Sequence, residues 1–325
     1  MHRLIIILLL PLLTTAQQPL GLRLENYAYP YPVKYITLHL QNEELQMAYM
    51  DVHPDQPNGH TILLLHGKNF CGAYWGPTAK ALAAKGYRVI IPDQVGFGKS
   101  SKPEHFQYSF QLLAQNTKAV LDSAQVSKVI VLGHSIGGMV ATRFTLMYPD
   151  IVEKFVLEDP IGLEDWRLTI PYQSVDAAYQ SELKQTKASL KKYMLENYFH
   201  GIWRPDYDEL LNIPAGWTLN PGYSRIAWNN ALTSDMLFTQ PVCYEFGQIK
   251  APSLLIIGQL DRTAPGKDRA PEAIRQTLGD YPALGKLTQK KIPNCRLVPI
   301  PGVGHVPHVE AFDTFMTSLL NFLAK

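Results

Sequence analysis

The chain has 325 residues, 46% of them apolar and 18% charged, with a formal net charge of +2 from 30 basic and 28 acidic side chains. At roughly 150 residues per domain the length suggests about two domains, and this apolar fraction is enough to close a large core, which argues against a disordered chain. A balance so near neutrality, with no basic run longer than Lys191-Lys192 and Lys290-Lys291, also argues against a nucleic-acid binder.

Met1 to Arg3 is a short basic start, Leu4 to Leu13 is almost unbroken Leu and Ile, and Thr14-Thr15-Ala16 supplies small residues before Gln17. This three-part layout predicts a secretory signal peptide over residues 1–16. A membrane-spanning helix needs about 20 apolar residues, whereas this run is half that and contains Pro11. The mature chain is therefore expected to start at Gln17 with a net charge of +1, outside the cytoplasm, periplasmic or secreted, without a stable membrane anchor. Cys71, Cys243 and Cys295 are too few for a disulfide framework and fit no zinc spacing, so neither metal nor cofactor is implied.

Tyr35 to Leu40 and Leu45 to Met50 alternate apolar and polar residues around Asn42-Glu43-Glu44, which predicts two antiparallel strands. Fully apolar runs follow at Thr61 to Leu65, Tyr87 to Ile91, Val129 to Leu132, Lys154 to Leu157, Leu254 to Ile257 and Arg296 to Ile300. Runs of this kind suit parallel strands buried on both faces. Helical spacing at Tyr74 to Lys85, Phe110 to Ala124 and Ile136 to Met147 supplies the covering layers. The expected fold is α/β, a mostly parallel doubly wound sheet with a helical insertion.

That insertion is the interval 161–244, which separates core segments 17–160 and 245–325. Val175, Tyr179, Leu183, Leu190 and Met194 recur there at helical spacing, as do Trp228, Leu232 and Met236. Four of the five tryptophans lie in it, Trp166, Trp203, Trp217 and Trp228. The concentration predicts an aromatic-walled pocket beneath a cap, with Trp203, Trp228 and Tyr244 as candidate lining residues. The segment Gly266 to Asn294 reads as a further surface excursion.

Gly133-His134-Ser135-Ile136-Gly137 follows an apolar strand and precedes a helical pattern. In that setting it forms a tight turn that raises the serine hydroxyl above the sheet and aims the helix start at it. A serine needs a base, and the base an orienting acid. His305, after the last strand, and Asp261, after the strand before it, lie at the sheet end where Ser135 sits. His308 and His134 are the rival bases, and Glu158 and Asp159 the rival acids. The amide of Ile136, with that of Lys68 or Asn69 in the loop after Thr61 to Leu65, is the candidate oxyanion hole. The Lys68 side chain is expected to reach solvent or pair with an acid. Gly98-Lys99-Ser100 resembles the end of a phosphate-binding loop, but Asp93 stands where that motif needs glycine.

His66-Gly67, Asp93-Gln94-Val95-Gly96-Phe97-Gly98-Lys99-Ser100, Gly133-His134-Ser135-Ile136-Gly137-Gly138, Gly258-Gln259-Leu260-Asp261 and Gly304-His305 together resemble the signature blocks of the cap-bearing α/β-hydrolase superfamily. The resemblance covers nearly all of the mature chain. It implies a serine hydrolase with Ser135, His305 and Asp261 as the triad, acting on a small-molecule substrate. Small apolar or aromatic esters are the leading expectation. Lactones, carbon-carbon bond cleavage and a proline iminopeptidase-like activity are alternatives, the last through Glu164-Asp165 or Asp206-Tyr207-Asp208-Glu209 as amine-capturing acids. A non-catalytic binding module is the reading outside enzymes. Serine in place of aspartate argues against epoxide hydrolases and haloalkane dehalogenases.

Overall fold

The computed structural model describes residues 17–325, so the expected leader falls outside the described residues. Val33–Leu40 (β1) and Glu43–Val52 (β2) pair antiparallel, with Val33 opposite Met50 and Leu40 opposite Glu43. The turn is tighter than the polar run suggested. Only Gln41 and Asn42 connect the strands, at φ 51° and 64°, and Glu43 and Glu44 join β2.

Thr61–Leu65 (β3), Arg88–Pro92 (β4), Val129–His134 (β5), Val152–Glu158 (β6), Ser253–Gly258 (β7) and Cys295–Ile300 (β8) complete an eight-stranded sheet of order β1-β2-β4-β3-β5-β6-β7-β8. β2 meets β4 antiparallel, and all neighbours from β4 to β8 are parallel. The helices are Gly76–Ala83 (α1), Phe110–Ser123 (α2), Ile136–Met147 (α3), Val175–Glu182 (α4), Lys187–Asn197 (α5), Asp208–Trp217 (α6), Tyr223–Thr239 (α7), Glu272–Arg275 (α8), Tyr281–Lys291 (α9), Pro307–Glu310 (α10) and Phe312–Leu323 (α11).

Strand alternation divides the interior into two layers. Ile62, Leu64, Ile130, Leu132, Leu254 and Ile256 face one side, with Leu82 of α1 and Phe315 of α11. Leu63, Leu65, Val129, Val131, Leu255 and Ile257 face the other, with Leu113 of α2 and Phe144 of α3. Both faces are covered, which is why the middles of these strands are continuously apolar; each fully buried aliphatic side chain contributes about 1.5–3 kcal/mol. The stretch 266–294 is more than a surface excursion. Its α9 packs on β7 and buries Tyr281 to 2% exposure, and a Cβ on Gly285 would lie 3.0 Å from Ile257.

Between β6 and β7 the chain leaves the sheet for α4 to α7. The helical spacing from Val175 to Met194 divides in two: the Ser174 hydroxyl accepts from the Ala177 amide to start α4, and a Thr186–Ser189 capping box starts α5. The segment 17–31 straps this insertion to the core. Leu20 donates to the Gly216 carbonyl at 3.0 Å, Trp217 Nε1 to the Gly21 carbonyl at 3.0 Å, and Tyr29 OH to Asp93 Oδ2 at 2.7 Å.

Asp93 also accepts from the amides of Gly72 (2.6 Å) and Lys99 (2.7 Å). The Lys99 amide, which a phosphate loop would turn toward its anion, is thus spent on shaping the turn. Cys71, Cys243 and Cys295 carry free thiols. Among the described residues no helix is long and apolar enough to cross a membrane.

Candidate active site

Ser135 stands between β5 and α3 at φ 56°, ψ −124°, a conformation that costs a non-glycine residue on the order of 1–3 kcal/mol. The flanking glycines allow the turn. A Cβ at Gly133 would lie 2.2 Å from the Gly137 carbonyl oxygen, and one at Gly137 would lie 2.3 Å from that of Leu65. The amide of Ser135 bonds the Glu158 carbonyl at 3.2 Å, and its own carbonyl accepts from Gly138 (2.9 Å) and Ile161 (3.0 Å). Three backbone hydrogen bonds thus over-determine a strained residue.

From this turn the hydroxyl meets His305. His305 Nε2 lies 3.0 Å from Ser135 Oγ, and Nδ1 lies 2.7 Å from Asp261 Oδ2. Asp261 Oδ1 accepts from the Thr263 amide at 2.8 Å. Both His305 and Asp261 are fully buried. With a carboxylate accepting from Nδ1–H, Nε2 is the ring atom free to accept the serine proton.

The rivals are occupied elsewhere. His134 Nε2 donates to the His305 carbonyl at 2.7 Å, and its Nδ1 accepts from Tyr74 OH at 2.9 Å, which itself accepts from the Gly67 amide at 3.0 Å. A carbonyl only accepts, so this chain fixes the His134 tautomer. Burial, reinforced by His305 and His308, holds its pKa well below the ordinary value. His308 binds Glu158 Oε1 through its amide (2.7 Å) and Nδ1 (2.9 Å) and stacks on Trp75 at 4.1 Å. Asp159 accepts from the Gly258 amide through both oxygens at 3.0 Å. Its pKa is raised well above the carboxylate range by burial and by the neighbouring Asp261.

His305 is held from all sides. Its amide donates to the Tyr198 carbonyl at 2.9 Å, and its ring stacks on Tyr198 at 4.8 Å. Glu310 accepts from the amides of Gly304 and Val306, each at 2.9 Å, bracketing the histidine. Sequence reasoning missed Tyr198, Tyr74 and Glu310. Only Glu310 had a visible signal, an acid just past the Gly304-His305 block.

The candidate oxyanion donors adjoin the serine. The loop after β3 runs against it, since a Cβ on Gly67 would lie 3.2 Å from Ser135 Cβ. Ile136 opens α3, so its amide has no partner within the helix. Lys68, Asn69 and Ser135 line one cavity of about 240 Å³ beneath the insertion. Asn69 Nδ2 donates to Tyr198 OH at 2.7 Å. Lys68 Nζ faces Glu182 Oε1 of α4 at 3.8 Å, and desolvation lowers its pKa despite that neighbour.

The expected pocket aromatics do not line this cavity. Trp203 donates to Asp208 at 3.0 Å and packs on Phe199 and Tyr207. Trp228 donates to the Glu104 carbonyl at 2.8 Å, and Tyr244 is exposed and bound to Asp165 at 2.9 Å. Tyr193, Tyr198, Trp217, Tyr223 and Phe238 take their place. The helical repeat named the insertion but not which of its faces turns inward. The proposed amine-capturing acids are likewise absent from the wall: Glu164 holds Trp166 (3.0 Å) and Gly279 (2.9 Å), Asp165 pairs with Arg167 (2.7 Å), and Asp206 pairs with Arg204 (2.7 Å).

Residues 60–312 match the family model described as alpha/beta hydrolase fold. The chain belongs to that family. This α/β-hydrolase resembles the crystal structure of a probable hydrolytic enzyme from Pseudomonas aeruginosa PAO1, with 48% identity, 94% of this chain and 99% of that one covered, and a TM-score of 0.93. It is 28% identical to Lipase 1 of Psychrobacter immobilis over 78% of this chain and 74% of the lipase. It is also 27% identical to a 2-hydroxy-6-oxononadienedioate/2-hydroxy-6-oxononatrienedioate hydrolase of Comamonas testosteroni, over 90% of this chain and 96% of that protein.

Proposed function

We propose that this α/β-hydrolase cleaves small carboxylic esters through an acyl-enzyme on Ser135. The observation that carries the reading is the line from Asp261 Oδ2 to His305 Nδ1 (2.7 Å) and from His305 Nε2 to Ser135 Oγ (3.0 Å) at the wall of a covered cavity. His305 takes the serine proton as Oγ attacks the ester carbonyl, and Asp261 holds the imidazole in its tautomer and stabilises the imidazolium. The amides of Ile136 and of Lys68 or Asn69 receive the oxyanion. His305 then protonates the leaving alcohol, and water releases the acid by the same steps in reverse.

A cavity of about 240 Å³ suits a compact substrate. Tyrosine hydroxyls, Lys68, Glu182 and Asn230 interrupt its aromatic wall, so purely apolar esters have less support than the aromatic content of the insertion suggested. The basic start, apolar run and small residues of 1–16 support export, and N-terminal sequencing of protein recovered outside the cytoplasm should begin at Gln17.

The test is labelling with a fluorophosphonate together with turnover of short p-nitrophenyl esters, a lactone and an amino-acid amide. The wild type should label and cleave the esters. Ser135→Ala should not label and should lose at least about 10³-fold in kcat. Equal turnover by the two proteins would remove the esterase reading, and an unlabelled wild type would favour a binding module.

A further inference from the structure

Lys68 is a largely covered cation that lacks a hydrogen-bond acceptor among the described residues. It follows His66-Gly67 in the loop against Ser135, and its side chain is 15% exposed beneath the cap. Its carboxylate neighbour, Glu182, is 3.8 Å away, beyond hydrogen-bond range. Among the described residues Nζ donates no hydrogen bond to any oxygen. Glu182 is better satisfied, since its Oε2 accepts from Asn230 Nδ2 at 3.2 Å. The other acids on the cavity wall do not serve Lys68: Asp235 accepts from Tyr172 OH at 2.8 Å, and Asp268 is exposed.

An ammonium withdrawn from water with unfilled donors is costly unless something supplies the acceptors. Here the donors border the cavity that holds the reactive hydroxyl. The ammonium sits at the end of a flexible four-carbon stem rooted beside a candidate oxyanion amide. It shares the cavity wall with Ser135, so it can meet a charged group carried on a short acyl chain. Arg269 adds a second cation on the wall, partly engaged with Gln173 Oε1 at 3.0 Å.

We propose that Lys68 forms a subsite for a carboxylate carried on the acyl group, so that the preferred substrates are half-esters of short dicarboxylic acids. This rests on the ester-hydrolase reading. A substrate carboxylate would give Nζ the charge-assisted hydrogen bonds it lacks, while Glu182 limits the preference by repulsion.

The test compares mono-p-nitrophenyl glutarate with its methyl ester, which keeps the acyl chain but caps the charge, by kcat/KM for the wild type, Lys68→Met and Glu182→Gln. The wild type should favour the free acid by about tenfold or more. Lys68→Met should abolish that preference, and Glu182→Gln should increase it. A wild type that cleaves the capped ester as well as the acid overturns the subsite and leaves the esterase reading standing. So does a folded Lys68→Met that keeps the preference, or a Glu182→Gln that loses it. Should the wild type cleave neither ester nor any in the broader panel, the esterase reading falls, and this inference with it.

Discussion

Tyr74→Phe is the sharpest probe of how the site is held, because it deletes one oxygen and keeps the ring that stacks on Phe70 at 4.9 Å. That oxygen accepts from the Gly67 amide at 3.0 Å and donates to His134 Nδ1 at 2.9 Å. Its loss leaves a loop donor and a buried ring acceptor unpaired, each costing about 1–3 kcal/mol. Tyr74 is partly exposed, so water can reach one of them, and a total of about 2–3 kcal/mol is the better expectation. For a chain of 325 residues that lowers Tm by about 3–5 °C. His134 keeps the His305 carbonyl that sets its tautomer but loses the hydroxyl bonded to Nδ1, and with it a firm hold on the ring's position. A small displacement of the base should lower kcat about tenfold and change KM little. Thermal denaturation by circular dichroism and ester turnover measure both. An unchanged Tm with unchanged kcat would refute the idea that this chain fixes the histidine loop.

Asp261→Asn should lower kcat by about 10³–10⁴-fold through loss of the correct histidine tautomer. Asp159→Asn should keep kcat within about threefold, because burial and Asp261 already disfavour its charged form and an amide oxygen can still accept from the Gly258 amide. The opposite ranking would make Asp159 the orienting acid. Burial opposes ionisation of Asp51, but hydrogen bonds from Arg88 and Lys34 outweigh it and hold its carboxyl at about 2, below the ordinary 3.8. The stability this group contributes is complete above the ordinary value and is lost as pH falls toward 2. Denaturation midpoints should therefore converge for wild type and Asp51→Asn across that interval, and parallel curves would rule the contribution out.

The central strands were legible because burial on both faces leaves few polar positions to confuse the reading, and the Ser135 turn because its glycines answer to backbone contacts. Three classes of feature were not. Which aromatics face the cavity depends on how α4 to α7 rotate against the core, so Trp203, Trp228 and Tyr244 were misplaced while Tyr193 and Tyr198 went unnoticed. α9 was missed because only a narrow side of it is apolar, with Tyr281 and Thr288 buried and its lysines facing outward. The bonds from Tyr74, Tyr198 and Glu310 join residues brought together by loops, whose meeting no local pattern records.

The strap at 17–31 also bears on how the chain reaches its native state. Trp217 binds the Gly21 carbonyl and Asn220 binds the Leu20 carbonyl across separations of 196 and 200 residues. This segment leaves the ribosome before the sheet does, yet its partners on α6 are made only after most of the sheet. Contacts so distant along the chain form late because loop closure must be completed first. Leu20 and Leu24, both buried in the final structure, lack their partners Ile213, Trp217 and Ile226 until then. They are a sticky early end that a holdase would shield and that a truncated chain could never cover.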